Sequence, residues 1–152
     1  QKNVNICVKH GLSVVQGDAD KDLIAYPSKS FDFVILSQTL QATHSPEKVL
    51  SQLVRISKYA IVSFPNFGSW LVRLKLLING IMPQSKSLPH TWYTTPNIHL
   101  CTIKDFKKLC EKNSIKIEKS FYLNKYGKQI NNPIGKIFNN FFSTSGLFVL
   151  KK

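Results

Sequence analysis

The side chains best suited to chemistry sit in four short stretches. Gly17-Asp18-Ala19-Asp20 sets a carboxylate directly after a glycine, and Ser37-Gln38-Thr39 offers two hydroxyls and an amide. Pro65-Asn66 adds a second amide, and residues 83–101 hold His90, Trp92, Tyr93 and His99. Each has a plain structural reading beside the functional one. Asp and Asn satisfy turn backbone as readily as they bind a ligand, and Ser-Gln-Thr can simply cap a strand. An imidazole titrates near neutrality and suits general-base work, yet a histidine beside Leu100 is more often packed with its ring nitrogens satisfied. His99 and Cys101 stand two apart with no companion pair, which is not a metal set. Cys7, Cys101 and Cys110 are odd in number and lack CxxC spacing. That argues against a disulfide framework and makes a reducing, cytoplasmic setting the expectation.

The hydrophobic pattern decides where these stretches fall. Val4, Cys7 and Val8 share a helical face, with Gly11 placed for a left-handed cap. Leu12 to Gln16 reads as a short strand that ends at Gly17. Phe31 to Ser37 is a near-continuous apolar run, the pattern of a parallel strand covered on both faces. Ser45-Pro46-Glu47 opens a helix with Ser45 as N-cap, and Val49, Leu50, Leu53, Val54 and Ile56 give its buried stripe. Tyr59 to Phe64 is a second buried-type strand, stopped by Pro65-Asn66. Residues 67–79 form a helix closed by Asn79-Gly80, with Trp70, Leu71, Leu74, Leu77 and Ile78 as its apolar stripe. On the commoner pattern that stripe packs on the sheet and leaves Arg73 and Lys75 solvated. A docking or membrane-surface face is the rarer alternative.

Residues 83–101 read as an ordered loop, a candidate lid. Thr102 to Asp105 is a capping-box start for another helix. Ile115 to Leu123 alternates as a strand, Gly146 to Leu150 reads as the last one, and 124–145 has no clear assignment. Alternating strands and helices predict one α/β domain over residues 1–152, with a mostly parallel sheet. Ligands of such sheets sit beyond the C-terminal strand ends. The loops 17–20, 37–44 and 65–68 should therefore converge on one crevice.

Composition limits the partners. The chain has 152 residues, 43% of them apolar and 19% charged, which excludes disordered and collagen-like classes. The net charge of +13 comes from lysine far more than arginine (Arg55 and Arg73 alone), with a larger excess after residue 100. The lysines are spread out and lack aromatic–arginine interleaving, so no specific nucleic-acid reader is implied. No apolar run spans a bilayer.

The order of strand–Gly17-Asp18, Phe31 to Leu40, Pro46 to Leu50 and Leu53 to Arg55 resembles the middle of a class I S-adenosylmethionine-dependent methyltransferase. Leu36 to Ala42, Val62 to Gly68 and Thr95 to Thr102 narrow the likeness to the MetW family of methionine biosynthesis proteins, over most of residues 3–123. The resemblance implies a Rossmann-like methyltransferase fold, a mostly parallel sheet with helices on both faces. It implies a cofactor contact through Gly17, Asp18 and Ala19, with Asp18 accepting from the adenine amine. It also puts Ser37, Gln38 and Thr39 beside the cofactor. Pro65, Asn66, Trp92, Tyr93 and His99 become the substrate or partner loops.

The family's glycine-rich turn and the acid that binds the ribose have no counterpart here. The first two strands of the fold are therefore expected to be missing, the native protein longer, and S-adenosylmethionine affinity weak or absent in this chain. The family is associated with homoserine O-acyltransferase as a supporting partner. The alternative is a methyltransferase acting on a small molecule, in which positioning carries the chemistry.

Overall fold

The computed structural model describes residues 2–130 and 138–152. The elements are α1 (Lys2–Lys9), β1 (Phe31–Ser37), α2 (Pro46–Ile56), β2 (Ser57–Pro65), α3 (Trp70–Asn79), α4 (Ile103–Lys112), β3 (Lys116–Leu123), α5 (Asn139–Phe142) and β4 (Ser145–Lys151). Short 3-10 turns lie at Asp22–Ala25 and Leu40–Ala42. One sheet in the order β1-β2-β4-β3 joins all four strands. β1 and β2 are parallel, and β4 is antiparallel to both β2 and β3. Three strands thus run one way, with β4 reversed between β2 and β3.

Strand parity divides the sheet. Val34 and Leu36 align with Ala60 and Val62, and these align with Leu150 and Phe148. With Phe64 they meet α2 (Val49, Leu50, Leu53, Val54) and α4 (Ile103, Phe106, Cys110) in one core. Phe64, Phe106 and Phe148 form an aromatic trio, with centroids 4.7 Å apart for Phe64–Phe106 and for Phe106–Phe148. Burying each ring contributes about 1.5–3 kcal/mol from area alone.

The opposite parity is bare on β1 and half-buried on β2 and β4. Phe33 and Ile35 are 60% and 68% exposed, so β1 is covered on one face rather than the two its composition implied. β1 is also the edge strand of the sheet. Residues 12–16 form no strand. Leu12 and Val15 stay exposed: a strand needs a partner edge, and this segment pairs with none of the four strands. α1 and the left-handed Gly11 (φ 72°) are as expected, with Ile6 and Val8 exposed.

Helix α3 departs most from expectation. Gly80 closes it in the left-handed region (φ 63°), where a side chain is disfavoured, and donates its N–H to Leu76 O. Yet only Val72 is buried, while Leu77 and Ile78 are 83% and 70% exposed. No α3 residue joins the core that α2 and α4 build on the sheet, so the stripe lacks a surface to pack against.

Capping also differs in detail. Thr102 Oγ1 accepts from Asp105 N and donates its proton to Asp105 Oδ2 at 2.6 Å. Ser45 occupies the N-cap of α2 but makes no side-chain cap bond. Asp20, far back in sequence, accepts instead from the N–H groups of His44 and Ser45, both at 2.8 Å. In the previously unassigned segment, a turn at Asn124–Lys128 and α5 are observed. Residues 131–137 lie outside the described residues.

Candidate strand-end site

The C-terminal ends of β1, β2 and β3 share one end of the sheet, as the registers Ser37↔Ser63, Pro65↔Ser145 and Leu123↔Ser145 require. At β1, Ser37 Oγ lies 3.3 Å from Ser63 Oγ, and Gln38 N donates to Ser63 O. Gln38 sits at φ 51°, in the left-handed region, where the chain turns off the strand. Thr39 Oγ1 donates back to Ser37 O. All three of Ser37, Gln38 and Thr39 are exposed.

The turn at 17–22 closes on itself. Asp22 Oδ2 accepts from Asp18 N at 2.6 Å, and a Cβ on Gly17 would meet that same oxygen at 2.9 Å. Asp18 Oδ1 accepts from Asp20 N, and Oδ2 pairs with Lys21 across solvent. Asp18 is exposed and Ala19 half-buried. Asp20 anchors the turn to the start of α2, and those two backbone donors hold its carboxyl below the ordinary value of 3.8. This coupling spans 24 residues, so no local motif announces it.

Asn66 is 1% exposed and turned into the protein. Its Nδ2 donates to Asn140 O and Ser143 O, and its Oδ1 accepts from Gly68 N and Ile103 N. The amide is fully engaged. It pins the β2 end to α5 and to the first turn of α4, so it offers a ligand no open group. Asn140, which sequence reasoning missed, lies over Gly68; a Cβ there would meet its amide at 2.8 Å. Pro65 is also buried.

The 83–101 loop lies as an outer strap. Ile98 N and His99 N both donate to Gln41 O, tying it to the turn after β1. His99 and His90 are exposed, and Trp92 and Tyr93 stack edge to face in solvent, 73% and 70% exposed. Gln41 is itself buried, and its Oε1 has no protein partner. It lines a cleft of about 300 Å³ with His99, Cys101 and Phe106. Burial pushes the Cys101 and Cys110 thiols up to about 12, so both are protonated at neutral pH and are poor nucleophiles. Among the described residues no group of three His, Cys, Asp or Glu could hold a metal, and no helix is long and apolar enough to cross a membrane.

The loops at 17–20 and 37–44 therefore meet through Asp20, whereas the third turns inward. For S-adenosylmethionine the fit is partial. Exposed Asp18 and the polar β1 end suit a nucleoside, but the seven glycines are scattered along the sequence with no glycine-rich run of the kind that cradles the amino-acid part.

A single sheet with crossover helices, a reversed strand near one edge and polar strand ends places the chain in the methyltransferase-fold class of α/β proteins. It superposes on a SAM-dependent methyltransferase from Archaeoglobus fulgidus with a TM-score of 0.65 at 16% identity, over 100% of this chain and 72% of that one. The match to a SAM-dependent methyltransferase from Thermotoga maritima has a TM-score of 0.63 at 18% identity, over 100% and 69%. At these identities the likeness is one of fold. The chain belongs to the MetW family, whose description, "Methionine biosynthesis protein MetW", matches residues 1–150. It is 30% identical over 123 residues to the "Bifunctional methionine biosynthesis protein MetXA/MetW" of Rhodopirellula baltica, covering 80% of this chain but 20% of that protein.

Proposed function

We propose that the chain is a MetW-type partner that supports homoserine O-acyltransferase by forming a complex with it, early in methionine synthesis. The observation that carries this reading is α3. Its Leu77 and Ile78, together with Ile81 just beyond, stand in solvent on a helix that contributes nothing to the core cluster. Contiguous exposed apolar surface of this kind marks interaction sites. The strap exposes Trp92 and Tyr93 as well, and exposed aromatics are frequent binding anchors. The bifunctional relative, in which MetW sequence is joined to MetXA, supports the same partner. Co-expression with the acyltransferase tests it. Acylation should rise with the wild-type chain and fall to the unassisted level with Leu77→Glu/Ile78→Glu. Equal acylation with and without the chain refutes it.

A second reading, methyl transfer to a small molecule, draws on the fold likeness. S-adenosylmethionine would supply an electrophilic methyl group, with Asp18, Ala19 and the Ser37–Thr39 end beside its nucleoside part and Asp20 holding that turn in place. Steady release of S-adenosylhomocysteine with a metabolite present favours this reading. Binding without turnover favours the supporting role.

A further inference from the structure

A separate cleft lies at the same end of the sheet, between the first half of α3, residues 83–87 and the turn after β3. It encloses about 400 Å³ and is lined in part by Val72, Lys75, Ser85, Lys86, Lys125 and Tyr126. Lys86 Nζ and Lys125 Nζ lie 5.8 Å and 5.0 Å from the centroid of the Tyr126 ring, so two ammonium groups share one aromatic ring. Lys75 Nζ is held over the cleft wall by donating to Gln84 O at 2.9 Å. No Asp or Glu occurs between Glu47 and Asp105, or after Glu118, so every segment that lines the cleft is free of carboxylates. The ion pairs among the described residues use Lys21, Lys112 and Lys116 instead.

Like charges gathered without a counter-ion repel, and a bound anion removes that cost. The neighbouring walls are apolar and aromatic, which suits a ligand that is more than a bare ion. We propose that this cleft binds a small phosphate-bearing molecule with a flat body, the phosphates between Lys75, Lys86 and Lys125 and the body against Tyr126 and Val72. The site is distinct from the Asp18–Thr39 end and does not depend on acyltransferase docking. The competing explanation is generic attraction of polyanions to a chain of charge +13.

Calorimetric titration of the full chain separates the two, with adenosine 3′,5′-bisphosphate, inorganic pyrophosphate, adenosine and an oligothymidylate as probes. The bisphosphate should bind saturably, more tightly than pyrophosphate, while adenosine should not bind. Lys86→Glu/Lys125→Glu should weaken the bisphosphate by about tenfold or more. Lys108→Glu/Lys119→Glu, which changes net charge equally, should change it by less than about threefold. Tyr126→Ala should weaken the bisphosphate and leave pyrophosphate unaffected. These side chains are exposed, so melting temperatures should match and report that each variant folds. The proposal is overturned by no saturable binding up to ~5 mM, by equal losses in the two charge-reversal pairs, or by an oligothymidylate that binds more tightly than the bisphosphate. Equal affinity for pyrophosphate and the bisphosphate overturns the flat-body assignment.

Discussion

The two faces of β1 and β2 are built from the same residue types and meet opposite fates. Ala60, Val62 and Phe64 are fully buried under α2 and α4, while Phe33 and Ile35 on the other parity are mostly in solvent. Phe33 stacks on its cross-strand neighbour Tyr59, with centroids 5.6 Å apart. The same contrast separates α4, whose Ile103, Phe106 and Cys110 are buried, from α3, where Val72 alone is. A hydrophobic side chain therefore reports a capacity for burial. What packs against it decides whether that capacity is used, and where nothing does, the surface is available to something else.

Breaking the covered face should cost most. Phe148→Ala, at the centre of the aromatic trio, is expected to destabilise by about 3–5 kcal/mol, read from the denaturant midpoint. Phe33→Ala should stay within about 1 kcal/mol. Comparable losses at the two positions would abolish the contrast between the faces. Asn66→Ala comes next. It strands two backbone N–H groups and two carbonyls, a loss of about 3 kcal/mol in the same assay. Leu77→Glu/Ile78→Glu should move stability by no more than about 0.5 kcal/mol while abolishing support of acylation. A large drop in melting temperature would mean that the α3 stripe is packed after all.

Two smaller effects concern titration. The Asp20 carboxyl is lowered in the folded chain. Its contribution is therefore complete above the ordinary value of 3.8 and is lost as pH falls through the lower folded value. Asp20→Asn should flatten the acid limb of the stability–pH curve and leave the neutral region nearly parallel to wild type. For Cys101 and Cys110, raised to about 12, the sign reverses. Stability is complete below the ordinary value of 9.0 and declines above it. At pH 8 alkylation should modify the half-exposed Cys7 well before these two, and mass spectrometry of timed samples reads the order.

Much of the fold is legible locally. Pro46 with Glu47 starts α2, Thr102 with Asp105 starts α4, Gly80 ends α3, and the alternation from Ile115 marks β3. The candidate site is legible only as positions. Asn66 is correctly read as a strand-end residue, whereas Asp18 lies in a turn with no strand before it. That Asp18 closes its own turn, and that Asn66 spends its whole amide on backbone as far as 77 residues away, could not be read from their neighbours. Asp20 gave no local signal, because its partners are the amides of His44 and Ser45. The strand expected at 12–16 failed for a related reason: propensity proposes a strand, but a ladder needs a second edge.

The sequence by itself determined periodicity, caps, turn positions and the charge excess, since these depend on residues within one or two helical turns of each other. Tertiary structure alone decided which apolar stripe found cover, which polar group remained open and which lysines were gathered around one ring. Those outcomes depend on contacts between residues tens of positions apart, where packing and desolvation, rather than local preference, set the free energy.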